Sequence, residues 1–151
     1  VPIIAALNGD AYGGGAELAV RCDLRVMSSG ATLCFSEAKL GLMPDWGGGA
    51  ALAKLVGASR AADLVLTARK VGAGEALAMG LVNRVCEPGT ALDEALGMAT
   101  LIADNGPRAV RHALALIRNS RNTFYDASLE EEERRAVELI EIGRASCRER
   151  V

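Results

Sequence analysis

Two runs of three consecutive glycines, Gly13-Gly14-Gly15 and Gly47-Gly48-Gly49, constrain this chain more than any other feature. Such runs cannot sit inside a regular element without a large loss of backbone entropy, so both mark loops. Ala16-Glu17-Leu18-Ala19-Val20 follows the first run and has helix-forming composition, which places the glycines at a helix N-terminus. Free backbone N–H groups point outward there, and the end of the helix favours an anion. The second run, reached through Leu40 to Pro44, leads into a helical stretch from about Ala50 to Val56. The two runs fall in unlike contexts, and no fixed-period repeat links them.

Around these loops the periodicity alternates between strand and helix. Ile3 to Asn8 is apolar and ends at Gly9-Asp10, as a buried strand running into a turn does. Leu24 to Ser28 and Thr32 to Phe35 are short β-type runs separated by Ser29-Gly30, which predicts strands joined by a tight turn. Ser59 is placed to cap a helix reaching Thr67, and Ala73 to Met79 predicts another helix, stopped at Gly80. Leu81 to Cys86 is again strand-like. From Ala91 onward the spacing is helical, with a break at Asn105-Gly106-Pro107, and Ser128-Leu129-Glu130-Glu131 has the form of a capping box before a last charged helix. Strands concentrate early and helices late, so the expected class is α/β.

The 151 residues are half hydrophobic, enough for one globular unit with a single core. Lys plus Arg (17) nearly balances Asp plus Glu (19), and no basic stripe is interleaved with aromatics, which argues against nucleic acid as a partner. No apolar stretch approaches the roughly 20 residues of a membrane span, so a cytoplasmic location without membrane contact is expected. Cys22, Cys34, Cys86 and Cys147 are widely spaced without a CxxC, and His112 is the one imidazole, so reduced packed thiols are expected and neither a metal site nor a disulfide. His112 itself reads as a partly exposed helix residue.

Neither glycine run carries the Lys-Ser/Thr of a triphosphate cradle or the spacing of a dinucleotide fingerprint. There is no G-x-S-x-G elbow, and a single His gives a serine triad little to work with. What remains is a glycine-bearing helix N-terminus with Glu17 just inside it and a second carboxylate, Glu37, in a loop twenty positions later.

At these residues the chain resembles a known family. Asn8-Gly9, Gly13-Gly14-Gly15-Ala16-Glu17-Leu18-Ala19, Cys22-Asp23, Ser36-Glu37, Leu40-Gly41-Leu42-Met43-Pro44 and Gly47-Gly48 together look like the enoyl-CoA hydratase/isomerase, or crotonase, pattern. Leu66-Thr67-Ala68-Arg69, Glu75-Ala76 and Gly80-Leu81-Val82 continue it, and the match covers nearly everything from Val1 to about Leu139. The resemblance implies an α/β spiral of ββα turns with trailing helices, usually assembled as a homotrimer or a dimer of trimers. It implies an acyl-CoA thioester as substrate, with coenzyme A part of that substrate and no separate cofactor. It also implies that the Gly14 N–H is one of two oxyanion donors to the thioester carbonyl, the other belonging to the family's earlier half. Glycine suits that role because it lets the main chain approach the thioester, and the helix dipole favours the developing enolate charge.

Glu17 and Glu37 match the two carboxylates that add water to a 2-enoyl-CoA, and two close carboxyls in one pocket share a proton and titrate as a unit. Glu37 is assigned the proton to be donated and Glu17 the base that orients water. Asp45 follows Pro44 where some isomerases of the family carry a proton-shuttling aspartate, so double-bond isomerisation is the alternative activity. Asp45 otherwise serves its own turn. Trp46 and Leu42 are candidates for the acyl pocket, although a large aromatic more often packs in a core. A third reading is a non-catalytic module of the same fold, used for assembly through the helices from Ala91 onward.

The opening at Val1-Pro2, without Met and directly into a strand, reads as a partial family unit over residues 1–140, and residues 141–151 resemble a translated sequencing adapter more than protein. A fragment of that kind is expected to be inactive alone, because one oxyanion donor and much of the coenzyme site lie outside it.

Overall fold

The computed structural model describes residues 1–118 and Val137. The helix expected from Ser128, the tail 141–151 and Cys147 lie outside the described residues. Among the described residues the elements run in the order β1 (Ile4–Leu7), β2 (Ala11–Tyr12), α1 (Gly14–Arg21), β3 (Leu24–Ser28), β4 (Thr32–Cys34), α2 (Gly48–Val56), α3 (Ala58–Thr67), β5 (Val71–Gly72), α4 (Ala73–Ala78), β6 (Arg84–Cys86) and α5 (Ala91–Ala103). A single 3-10 turn, Glu37–Leu40, lies between β4 and α2, and residues 107–118 are helical. The class is α/β, as the sequence predicts.

The strands form two small sheets rather than one. In the first the order is β1-β3-β6 and all pairs are parallel, with Ala6 opposite Val26 and Val26 opposite Arg84. In the second, β2 and β4 are parallel and β5 closes antiparallel to β4. The tight turn expected between β3 and β4 is therefore not a hairpin. Ser29-Gly30 is a corner at which the chain leaves one sheet for the other, and Ala31 N–H bonds back to the Ser28 carbonyl at 3.0 Å. Two-residue strands such as β2 and β5 leave too little alternation to be read from sequence.

Helix boundaries shift for similarly local reasons. Helix α2 begins at Gly48, inside the second glycine run, and α3 begins at Ala58, so Ser59 lies within the helix instead of capping it. Gly57 takes the capping position, and Ala61 N–H bonds to its carbonyl at 3.0 Å. The main core gathers Val20, Met27, Leu33, Phe35, Leu52, Leu64 and Leu81 between the sheets and helices α1 to α4. A second cluster, Val26 with Ala91, Ala95 and Met98, docks α5 on the opposite face of the first sheet. Successive residues of β3 thus feed different cores, as the two-residue period of a strand requires. Cys22, Cys34 and Cys86 are free thiols, and no helix among the described residues is long and apolar enough to cross a membrane.

Candidate active site

Helix α1 presents its site residues on one face because positions three and four apart lie above one another. Gly14, Glu17 and Arg21 form that row, and all three meet the segment that enters α2. Arg21 Nη1 donates to the Trp46 carbonyl at 2.6 Å. Glu17 Oε2 accepts the main-chain N–H of Trp46 and that of Gly48, each at 2.9 Å. The Trp46 ring lies over Gly14, with Cζ3 2.9 Å from where a β-carbon on that glycine would stand.

Glu17 is 1% exposed, a buried acid whose burial is matched by two backbone donors at the start of α2. Glu37 reaches the site from the 3-10 turn instead of an open loop, and its Oε1 lies 3.5 Å from the position of a β-carbon on Gly13. Both Glu37 oxygens are shielded from solvent and have no hydrogen-bond partner among the described residues. Burial pushes the Glu37 carboxyl above its ordinary pKa of 4.5, offset in part by its own backbone N–H and reinforced by the negative charges of Glu17 and Asp45.

These groups share one cavity of about 260 Å³, lined by Gly13, Gly14, Glu17, Ser36, Glu37 and Asp45 together with apolar Leu40, Leu42, Met43 and Trp46. Every site residue singled out from the sequence lines it. Trp46 is 60% exposed, so it forms a wall and not part of a core. Asp45 is exposed at the rim. The Gly14 N–H makes no hydrogen bond among the described residues, because Gly14 is the first residue of α1 and the neighbouring Gly13 N–H takes the last strand carbonyl, Cys34 O, at 2.9 Å. Gly14 thus lines, with an uncommitted amide, the cavity that also holds Glu17, Glu37 and Asp45. His112 lies exposed on the 107–118 helix and is not among the residues lining this cavity.

A larger cavity of about 630 Å³ lies between β1, α5 and the 107–118 helix. Its walls among the described residues are apolar, with Asn105 and Arg111 as the polar exceptions.

Sequence reasoning left the second glycine run without a role and passed over Arg21. The signal for the first was present, since a triple glycine leading into a helix offers unobstructed amides at its N-terminus. No local pattern marks Arg21, whose partner is 25 positions away.

Residues 1–141 match the family described as enoyl-CoA hydratase/isomerase. The chain is 41% identical over 128 residues to a short-chain-enoyl-CoA hydratase of Clostridium acetobutylicum, covering 85% of this chain and 49% of that protein. It is 46% identical over 110 residues to a putative enoyl-CoA hydratase of Thermus thermophilus, covering 73% and 43%. A crystal structure of enoyl-CoA hydratase from Mycobacterium avium superposes with a TM-score of 0.90 at 33% identity, over 95% of this chain and 64% of that one. The chain spans about half the length of the curated relatives it matches. With that identity, that coverage and the same crotonase-like fold, the chain belongs to the enoyl-CoA hydratase/isomerase family.

Proposed function

We propose that this chain carries the acid/base half of an enoyl-CoA hydratase site, adding water across the double bond of a 2-enoyl-CoA thioester. The observation that carries the reading is the meeting of Glu17 and Glu37 in one cavity beside the unengaged Gly14 N–H. In this scheme the thioester carbonyl accepts the Gly14 N–H, which steadies the negative charge that develops on its oxygen. Glu17, fixed by two backbone bonds, takes a proton from water as its oxygen bonds to C3. Glu37 gives its proton to C2 on the same face, and proton exchange between the two carboxyls and solvent restores the pair. One water is consumed, with hydroxyl on C3 and hydrogen on C2.

Burial of Glu37 supports its role as donor, because a carboxyl pushed above its ordinary range keeps a proton closer to neutral pH. A second oxyanion donor and much of the coenzyme site would come from the part of the family's length that this chain does not span, so the chain alone is expected to be inactive. The whole protein would assemble as a trimer or a dimer of trimers.

The test is loss of the conjugated enoyl-thioester absorbance with short 2-enoyl-CoA, measured on the chain joined to the portion of a family relative that it does not span. Glu17→Gln and Glu37→Gln should each lower the rate by roughly 100-fold to 10,000-fold. Unchanged rates in both variants would remove the assignment. Asp45 lines the same cavity, which favours isomerisation as a second reading. If Asp45→Asn abolishes a double-bond shift while both glutamine variants keep it, isomerisation is the correct one.

A further inference from the structure

The part of the site to which the proposed reaction gives no role is the second glycine run. A β-carbon on Gly48 would overlap Glu17 Cγ and lie 2.6 Å from its Cβ and 2.7 Å from its Cα. No real side chain stands so close to backbone, so position 48 is restricted to glycine by Glu17 and not by its own conformation. The same close approach brings the Gly48 N–H to Glu17 Oε2, and the Trp46 N–H arrives at that oxygen from two residues earlier. Trp46 O is held in turn by Arg21, one turn along α1 from Glu17.

We infer that Trp46 to Gly48 is a main-chain strap that positions Glu17, with Gly48 as its specificity-bearing positioning residue. Four contacts tie this strap to one row of α1: the ring of Trp46 against Gly14, the Trp46 and Gly48 amides on Glu17, and the Trp46 carbonyl to Arg21. The carboxyl group is therefore located by backbone, which has little freedom to drift. The Gly14 amide and the Glu17 carboxyl are gauged against the same strap, so their separation is set by one element. Because the two donors on Glu17 are main-chain groups, the identity of residue 46 matters for the cavity wall but not for this clamp, whereas any side chain at 48 expels the carboxyl. The importance of the clamp for turnover rests on the hydration reading; the clamp itself does not.

Two measurements separate those claims. In the 151-residue chain, the Trp46 and Gly48 amides should be protected from hydrogen exchange, and Glu17→Ala should remove that protection at both. Trp46→Ala should leave it intact at the Gly48 amide, and Gly48→Ala should remove it at the Trp46 amide. Unaltered protection of both amides in Glu17→Ala overturns the clamp, whether or not Gly48→Ala folds. In the joined protein used for the hydration assay, Gly48→Ala should lower kcat roughly 100-fold, the loss associated with about 1 Å of misplacement, with KM changed by less than about threefold. In a Glu17→Gln background it should add nothing, since the base that Gly48 positions is already absent. Full additivity of the two losses shows that Gly48 acts elsewhere and overturns the positioning role. An intact clamp with no hydration by the unaltered joined protein leaves the geometry standing and removes the hydratase reading instead.

Discussion

At the scale of single residues, Glu17 and Glu37 are treated in opposite ways within one cavity. Glu17 is buried and given two backbone donors, while half-buried Glu37 has both carboxyl oxygens shielded with no partner among the described residues. The second arrangement costs stability whenever the carboxyl is ionised. A carboxyl whose native pKa lies above its unfolded value binds its proton more tightly when folded, so stability is greatest below about 4.5 and declines as pH rises toward the raised native value. Glu37→Gln should therefore stabilise the chain at neutral pH, where the ionised carboxyl has lost this contribution. The gain should vanish as pH falls below that window, and urea titrations across pH will check it. Gly14 offers a second handle, because Trp46 is the chain's one tryptophan and its ring packs against that glycine. Gly14→Ala should displace the indole and shift its fluorescence emission, with a stability change within about 1 kcal/mol given how exposed the ring is. An unaltered spectrum would mean that ring and glycine are not in contact in solution. Gly14 and Glu17 were legible in the sequence as residue types at a helix start, and Glu37 as a carboxylate in a loop. Their partners were not, since the Trp46 and Gly48 amides lie 29 and 31 positions from Glu17.

At the scale of elements, long and strongly patterned segments were read correctly and short ones were missed. β1, β3 and α5 carry enough consecutive apolar or periodic residues to declare themselves. β2 and β5, two residues each, exist because β4 lies between them and pairs with both. The same dependence on distant partners explains Arg25, 3% exposed within β3. Its Nε donates to Leu81 O at 2.8 Å and its Nη1 to Cys22 O at 2.6 Å, while its backbone N–H bonds to the Asn83 side chain at 2.8 Å. This arginine joins the end of α1 to the segment that enters β6. Arg25→Ala would leave two carbonyls without a charged donor and should cost on the order of 3 kcal/mol, read from denaturant melts. A loss below about 1 kcal/mol would show that water replaces the guanidinium there.

At the scale of the whole molecule, the parallel sheet divides two apolar clusters, and helix α5 belongs to the smaller one. Met98→Ala should weaken the docking of α5 by about 2–3 kcal/mol, as large-to-small changes at buried sites do. Amide exchange should then rise along α5 and leave α2, which packs in the other cluster, unaffected. Equal acceleration in both helices would mean that the two clusters unfold as one. From sequence alone the chain determined its α/β class, its glycine-led helix starts and the presence of two candidate acids near them, because each of these is a local matter of backbone entropy, periodicity and side-chain type. Only the tertiary structure decided that β3 and β4 belong to different sheets, that Glu37 loses its solvent, and that α2 begins against Glu17, because each of these depends on which distant surfaces come to rest against one another.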